Sequence, residues 1–258
     1  MIPADAFAGA RLKVARARKH IFELSQAGEA YAAKMPVEFF ENPLEDGRLE
    51  QKVRVHTLPS PELATVVAEA LGGLRSSLDL AICAAASLRG AKNLEDISFH
   101  FAKSEEEWDN TIKGKTKGVP EATVKVMREF KPWRNGHKFL YPLSKLSAAD
   151  KHRLLTPMVV NHGDTHISDG VFMEHIIVGG PWYAEKQEGT LYTTTHHPLN
   201  IKPKMGVGIY FAFGKVDILS ERPILPALEA MATACDEVIW AVKASLVDPE
   251  SIVRSSIL

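Results

Sequence analysis

The run GLRSSLDLAICAAAS, Gly73–Ser87, constrains this chain more than any other stretch. A helix so apolar must bury most of its surface, yet Arg75 and Asp79 sit in its middle, one turn apart. At about 100° per residue, Leu63, Val67, Leu71, Leu74, Leu78 and Ala85 form one broad stripe. Arg75 and Asp79 fall beside that stripe, among Ala68, Gly72 and Ala86, small residues that admit a neighbouring backbone. A half-buried charge left alone costs on the order of several kcal/mol, so each of the two needs a partner.

A second stretch, PLSKLSAADKHRLLTP, has the matching oddity. Leu143, Leu146 and Leu154 share a helical face, and Asp150 and Arg153 fall on it. The expectation is that the two helices pack, with Arg75 meeting Asp150 and Asp79 meeting Lys151 or Arg153. His152 points away from that stripe, as Leu80 does on the first helix. Such a network can fix helix register, or it can bind an anion between the helices. Arginine offers a planar fork suited to phosphate, and histidine moves protons near neutral pH. The candidate binding set is therefore Arg75, Asp79, Asp150, Lys151 and Arg153.

These stretches also carry a likeness. LRSSLDLAIC followed by ADKHRLL resembles a widespread group of uncharacterised bacterial proteins. In that group the first helix usually reads Leu-Arg-Ser-x-Leu-Asp-His and the second Asp-Lys-His-Arg. The long N-terminal helix, the hairpin before Pro59, and YFAFGK followed by RPILPALEAM fit it too. The group's Arg-x4-His spacing is in turn similar to HEPN domains, small helical bundles of which many are metal-independent ribonucleases. There the arginine binds the scissile phosphate and the histidine assists proton transfer. The resemblance implies Arg75 and, as the available acid–base group, His152 as catalytic residues. The family's histidine position is Leu80 here, and leucine does no acid–base chemistry. It therefore implies an RNA-, nucleotide- or phosphate-binding protein whose ribonuclease activity is weakened or absent.

Composition narrows the classes. The 258 residues carry a formal charge of −1, so no global field recruits nucleic acid or membrane. Charge is uneven, however. Lys113 to Arg153 holds eleven Lys/Arg and three Asp/Glu, a net of +8; the remainder holds 20 and 29, a net of −9. That stretch includes REFKPWRNGHKFLYP, where basic residues interleave with aromatics as phosphate and base contacts require. A solvated surface with local hinges explains the same pattern. Cys83 and Cys235 both lie in apolar runs and read as core residues of a reducing, cytoplasmic setting. The N-terminus MIPADAFAGARLKVARARKH has basic residues with no apolar segment after them, which does not read as a secretory signal. No membrane-spanning run is expected.

Along the chain, a helix is expected from about Ala4 to Ala33, on the stripe Val14, Ala17, Ile21, Leu24 and Tyr31. VEFF and Val53, Val55, Thr57 flank the turn ENPLEDG as a hairpin. Ser60-Pro61-Glu62 opens the helix to about Leu88. Ser104 caps a short helix, Pro120 opens another, and Pro142 starts a third that ends near Leu155. VFMEHIIVGG, GTLYTTT and MGVGIYFAFG then read as strands. A last helix runs from about 223 to 246. The expected fold class is α+β: a helical bundle with an inserted β-hairpin near 37–57, then an antiparallel β section closed by a C-terminal helix. The expected domains are 1–155 and 156–258.

VNHGDTHISDG places His162, Asp164 and His166 at alternate positions, which share one face of a strand. This is the basis of an alternative, a metal-dependent hydrolase, although the downstream blocks that metallophosphoesterases need are missing. No metal or cofactor is assigned. Two classes stay open: an RNA- or nucleotide-binding protein, and a structural or interaction module with an architectural Arg–Asp network. A second copy of the chain is the other candidate partner.

Overall fold

The computed structural model describes residues 6–34, 37–55, 60, 62–148, 158–161, 165–167, 171–173, 176–178, 188–195, 209–212, 219 and 222–247. Helices dominate it. The chain forms two compact units: residues 1–21, 68–149 and 227–258 make one, and 22–67 with 150–226 the other.

In the first unit, helix α1 (Ala8–Ala33) contributes its N-terminal part. The whole helix buries Val14, Ala17, Ile21, Leu24 and Tyr31, the stripe its sequence predicts. Helix α2 (Glu62–Leu88) starts where Ser60 Oγ accepts the Glu62 N–H, 3.3 Å away. Leu71, Leu74, Leu78, Ala81, Ile82 and Ala85 of α2 are buried. The two helices run antiparallel. Glu69 lies near His20, Gly73 faces the Lys13 carbonyl and Ala17, and Leu80 lies by Gly9. The close approach uses Gly73; nothing stands within 4 Å of a Cβ at Gly72. Helix α3 (Glu105–Lys115) is capped by Ser104, which accepts the Glu107 N–H at 3.1 Å. Three acids in its first turn and Lys113 and Lys115 in its last complement the helix dipole.

Helix α4 (Glu121–Glu129) follows Pro120, and helix α5 (Leu140–Ala148) follows a tight loop. Two residues of that loop, Lys131 and Asn135, have positive φ, at 47° and 64°. The Lys131 carbonyl accepts both Trp133 N–H and His137 N–H, each at 2.8 Å. A side chain on Gly136 would collide with that carbonyl, so the loop requires glycine there. The sequence places the start of α5 at Pro142, but the helix begins at Leu140. Pro142 sits in its first turn, where a missing N–H costs no hydrogen bond. The expected extension toward Leu155 lies outside the described residues. Helix α6 (Ile224–Ser245) buries Leu228, Met231, Cys235, Val238 and Val242, again the expected stripe.

The second unit holds the strand pairs. Strands β1 (Val37–Pro43) and β2 (Leu49–Val55) form the expected hairpin, and β2 also pairs antiparallel with β7 (Glu188–Thr195). Strand β3 (Met158–Asn161) pairs with β6 (Ile176–Val178) and β8 (Ile209–Ala212). Strand β4 (Thr165–Ile167) pairs with β5 (Val171–Met173). The units thus divide the chain differently from the expected 1–155 and 156–258. A two-stranded hairpin is marginal alone, and here it gains β7 as a third strand. The apolar stripe of α6 is buried within the helical unit, where Cys235 Sγ lies 3.6 Å from the Leu74 carbonyl.

Candidate functional site

Arg75 and Asp79 do find partners, and the first partner of each is the other. Arg75 Nη1 donates to Asp79 Oδ1 at 2.5 Å, an i,i+4 pair along α2. Both then reach one residue of the segment that follows α2. Arg75 Nη2 donates to the Phe99 carbonyl at 3.1 Å, and the Phe99 N–H donates to Asp79 Oδ1 at 2.9 Å. Two side chains therefore satisfy both backbone groups of Phe99, as a neighbouring strand would. One turn further along α2, the Cys83 thiol lies 3.5 Å from the Ile97 carbonyl. Residues 75, 79 and 83 are a row with helical spacing that binds the backbone of 97–99. Burial, and then the charge of Asp79, pushes the Cys83 thiol up from its ordinary value. It stays protonated and serves as a donor.

The aromatic side chains complete the clamp. Phe99 is fully buried, and its ring centroid lies 5.1 Å from that of Phe101. The Arg75 guanidinium sits 4.7 Å from the centre of the Phe101 ring, within cation–π range. The side chains of Arg75 and Asp79 keep 24% and 34% of their surface exposed. The site is half-buried, and the Arg75 cation is matched by the Asp79 anion.

His100 follows Phe99 and faces α3. Its Nε2 lies 2.6 Å from Thr111 Oγ1, and the Thr111 hydroxyl donates to the Glu107 carbonyl. A hydroxyl has one proton to give, so His100 Nε2–H is the donor to Thr111. Burial, then the charge of Lys115, lowers the His100 pKa; Glu107 opposes and Arg75 adds to the lowering. The ring is neutral at neutral pH. His137 has a different task. Its Nδ1 accepts the backbone N–H groups of Phe139 and Leu140, each at 3.2 Å, and so caps α5. Burial lowers its pKa, against a weaker pull upward from Glu237. Neither histidine stands out in the sequence. The alternation ISFHF, with Ile97 and Phe99 buried, is the signal there for an extended segment at His100.

Of the expected site residues, the structure brings together Arg75 and Asp79. Asp79 takes Arg75 and the Phe99 N–H as partners among the described residues; its expected partners Lys151 and Arg153 are not among them. Asp150, Lys151, His152 and Arg153 lie outside the described residues. So do His162 and Asp164, while His166 pairs with Phe172 between β4 and β5. Among the described residues, no group of three His, Cys, Asp or Glu could hold a metal ion. Leu80 is exposed and lies by Gly9, turned from the Arg75 row as its helical phase requires.

The basic stretch is sorted by its partners. Arg128 is bound by Asp109 and Glu105, and Lys125 by Glu121. Lys113, Lys115, Lys117, Lys131, Arg134 and Lys138 are exposed and have no acidic partner among the described residues. Two of its aromatics are closed to stacking, while Phe130 and Phe139 are half-buried. Trp133 is buried with its ring centroid 6.0 Å from that of Trp108, and Tyr141 is buried in α5. No helix of the described residues is long and apolar enough to cross a membrane. Compared with family models, curated proteins and solved structures, the chain matches none.

Proposed function

We propose that the chain is a non-catalytic binding module for a phosphate-bearing ligand, RNA or a nucleotide, of HEPN-like descent, in which Arg75 and Asp79 serve the architecture. The observation that carries this reading is the contrast between two sets of cations. Arg75 is turned inward onto Asp79 and Phe99, whereas Lys131, Arg134 and Lys138 project from the tight loop before α5 with no acidic partner among the described residues. Exposed lysine and arginine neutralise phosphates without reading bases, and buried Trp133 and Tyr141 are closed to base stacking. Lys151 and Arg153 extend the same basic stretch in sequence. Leu80 in the family's histidine position supports the absence of cleavage. The same reading keeps the α+β class, supported by the antiparallel pairings of β3 with β6 and β8, and a cytoplasmic setting, supported by two free cysteines.

The test is RNA binding by fluorescence anisotropy at low and high salt. Binding should weaken steeply with salt. The triple change Lys131→Glu, Arg134→Glu, Lys138→Glu should lower affinity at least about tenfold at low salt, since each lost phosphate contact also lowers the salt slope by about one. No RNA should be cleaved. The second reading, an architectural module, is favoured by the pairing of Arg75 with Asp79 and Phe99. It stands if wild-type protein binds neither RNA nor nucleotide at low salt, or if the triple change leaves binding intact.

A further inference from the structure

The tight loop before α5 does not carry its cations alone. Ala102 and Trp133 form a parallel β-bridge: the Ala102 N–H donates to the Pro132 carbonyl and the Arg134 N–H to the Ala102 carbonyl, each at 3.3 Å. Ala102 and Trp133 are both buried, so the next residue of each segment points the other way, into solvent. Those residues are Lys103 and Arg134, and both are exposed. Lys103 lies outside the basic stretch 113–153, so only the bridge brings it to the loop. Backbones bonded in this way lie about 4.8 Å apart, well within the reach of both side chains. Two like charges side by side repel, and neither has an acidic partner among the described residues. Of the three acids in the first turn of α3, Glu105 is held by Arg128 and Glu107 accepts the Lys103 N–H at 2.8 Å; Glu106 is exposed.

We propose that Lys103 and Arg134 together hold one terminal phosphate, a monoester at the end of an RNA or on a nucleotide, in preference to an internal phosphodiester. This rests on the binding reading above and names the group that the site takes. The number of oxygens decides it. An arginine fork takes two phosphate oxygens at once, and a lysine beside it takes another as a point charge. An internal phosphodiester presents two non-bridging oxygens, whereas a terminal monoester presents three. The monoester also carries about −1.5 to −2 at pH 7, which matches two adjacent cations. Lys131 and Lys138, exposed on the same loop, remain for the phosphates that follow.

Fluorescence anisotropy at low salt tests this, with one RNA sequence made with a 5′-phosphate and with a 5′-hydroxyl and labelled at its 3′ end. Wild type should bind the phosphate form about tenfold more tightly. Lys103→Met should erase most of that preference and change the affinity for the hydroxyl form by less than about threefold. Arg134→Lys keeps the charge and loses the fork, so it should also reduce the preference while leaving the salt slope of the hydroxyl form unchanged. Both positions are exposed, so circular dichroism should match wild type. Equal affinity for the two forms, or a preference that survives both substitutions, would overturn the inference. If the triple change at Lys131, Arg134 and Lys138 still weakens the hydroxyl form in that case, the binding reading stands without it. Binding of neither form by wild type would remove both.

Discussion

Arg75 and Asp79 act on the backbone of one residue, and that sets what their loss should do. Hydrogen bonds to charged groups contribute about 1.5–3 kcal/mol when buried, and these side chains are a quarter to a third exposed. Arg75→Met should therefore destabilise the protein by about 1–2 kcal/mol, read as a shift of the urea midpoint. Asp79→Leu should cost more than Asp79→Asn, because Asn keeps an acceptor for the Phe99 N–H. Equal costs for Leu and Asn would show that the backbone bond contributes nothing. The need for partners was legible from two charges on a core helix. The identity of the partner was not. A backbone N–H and C=O belong to every residue and leave no mark in the sequence, whereas a countercharge such as Asp150 stands out in it.

At the scale of the element, α5 depends on an imidazole that must stay unprotonated. His137 Nδ1 accepts two N–H groups that open the helix, and protonation removes that acceptor. Its pKa is lowered in the folded state, mainly by burial, so the unfolded chain binds the proton more readily. The stabilisation is present above the unfolded value of about 6.5 and is lost as pH falls below it through the folded value. His100 shifts in the same direction, by burial and Lys115, and adds to the slope. Unfolding free energy should fall between neutral pH and mildly acidic pH. His137→Asn keeps a cap acceptor that does not titrate, so it should flatten part of that slope and retain stability near neutrality within about 1 kcal/mol. Amide exchange at Phe139 and Leu140 should quicken in acid in wild type. An unchanged slope in the Asn variant would remove His137 from this role. The sequence signals located α3, α4 and α6 by their caps and stripes. They placed the start of α5 on Pro142, because a histidine cap is not among the residues that announce a helix.

At the scale of the molecule, the long helices were legible and the grouping of segments was not. Periodicity is local, so the buried stripes of α1, α2 and α6 follow from the order of residues alone. That β2 of the hairpin pairs with β7, from Leu49↔Thr195 to Arg54↔Glu188, is a choice of strand partner far along the chain that no local pattern encodes. The grouping has a consequence for unfolding. The two compact units divide at residues 21/22, 67/68, 149/150 and 226/227, and three of these points fall inside α1, α2 and α6. Each helix is therefore continuous across the division, and losing one unit leaves the other with helix ends that lack caps and tertiary cover. Thermal unfolding should be one cooperative transition. Far-UV circular dichroism and tryptophan fluorescence should coincide, and the calorimetric enthalpy should equal the van't Hoff value. Glu23→Pro, inside α1 next to a division point, should lower stability by about 3 kcal/mol or more and separate the transitions, because it breaks one of the helices continuous across the division. Two resolved transitions in the wild-type protein would show that the continuous helices do not couple the units.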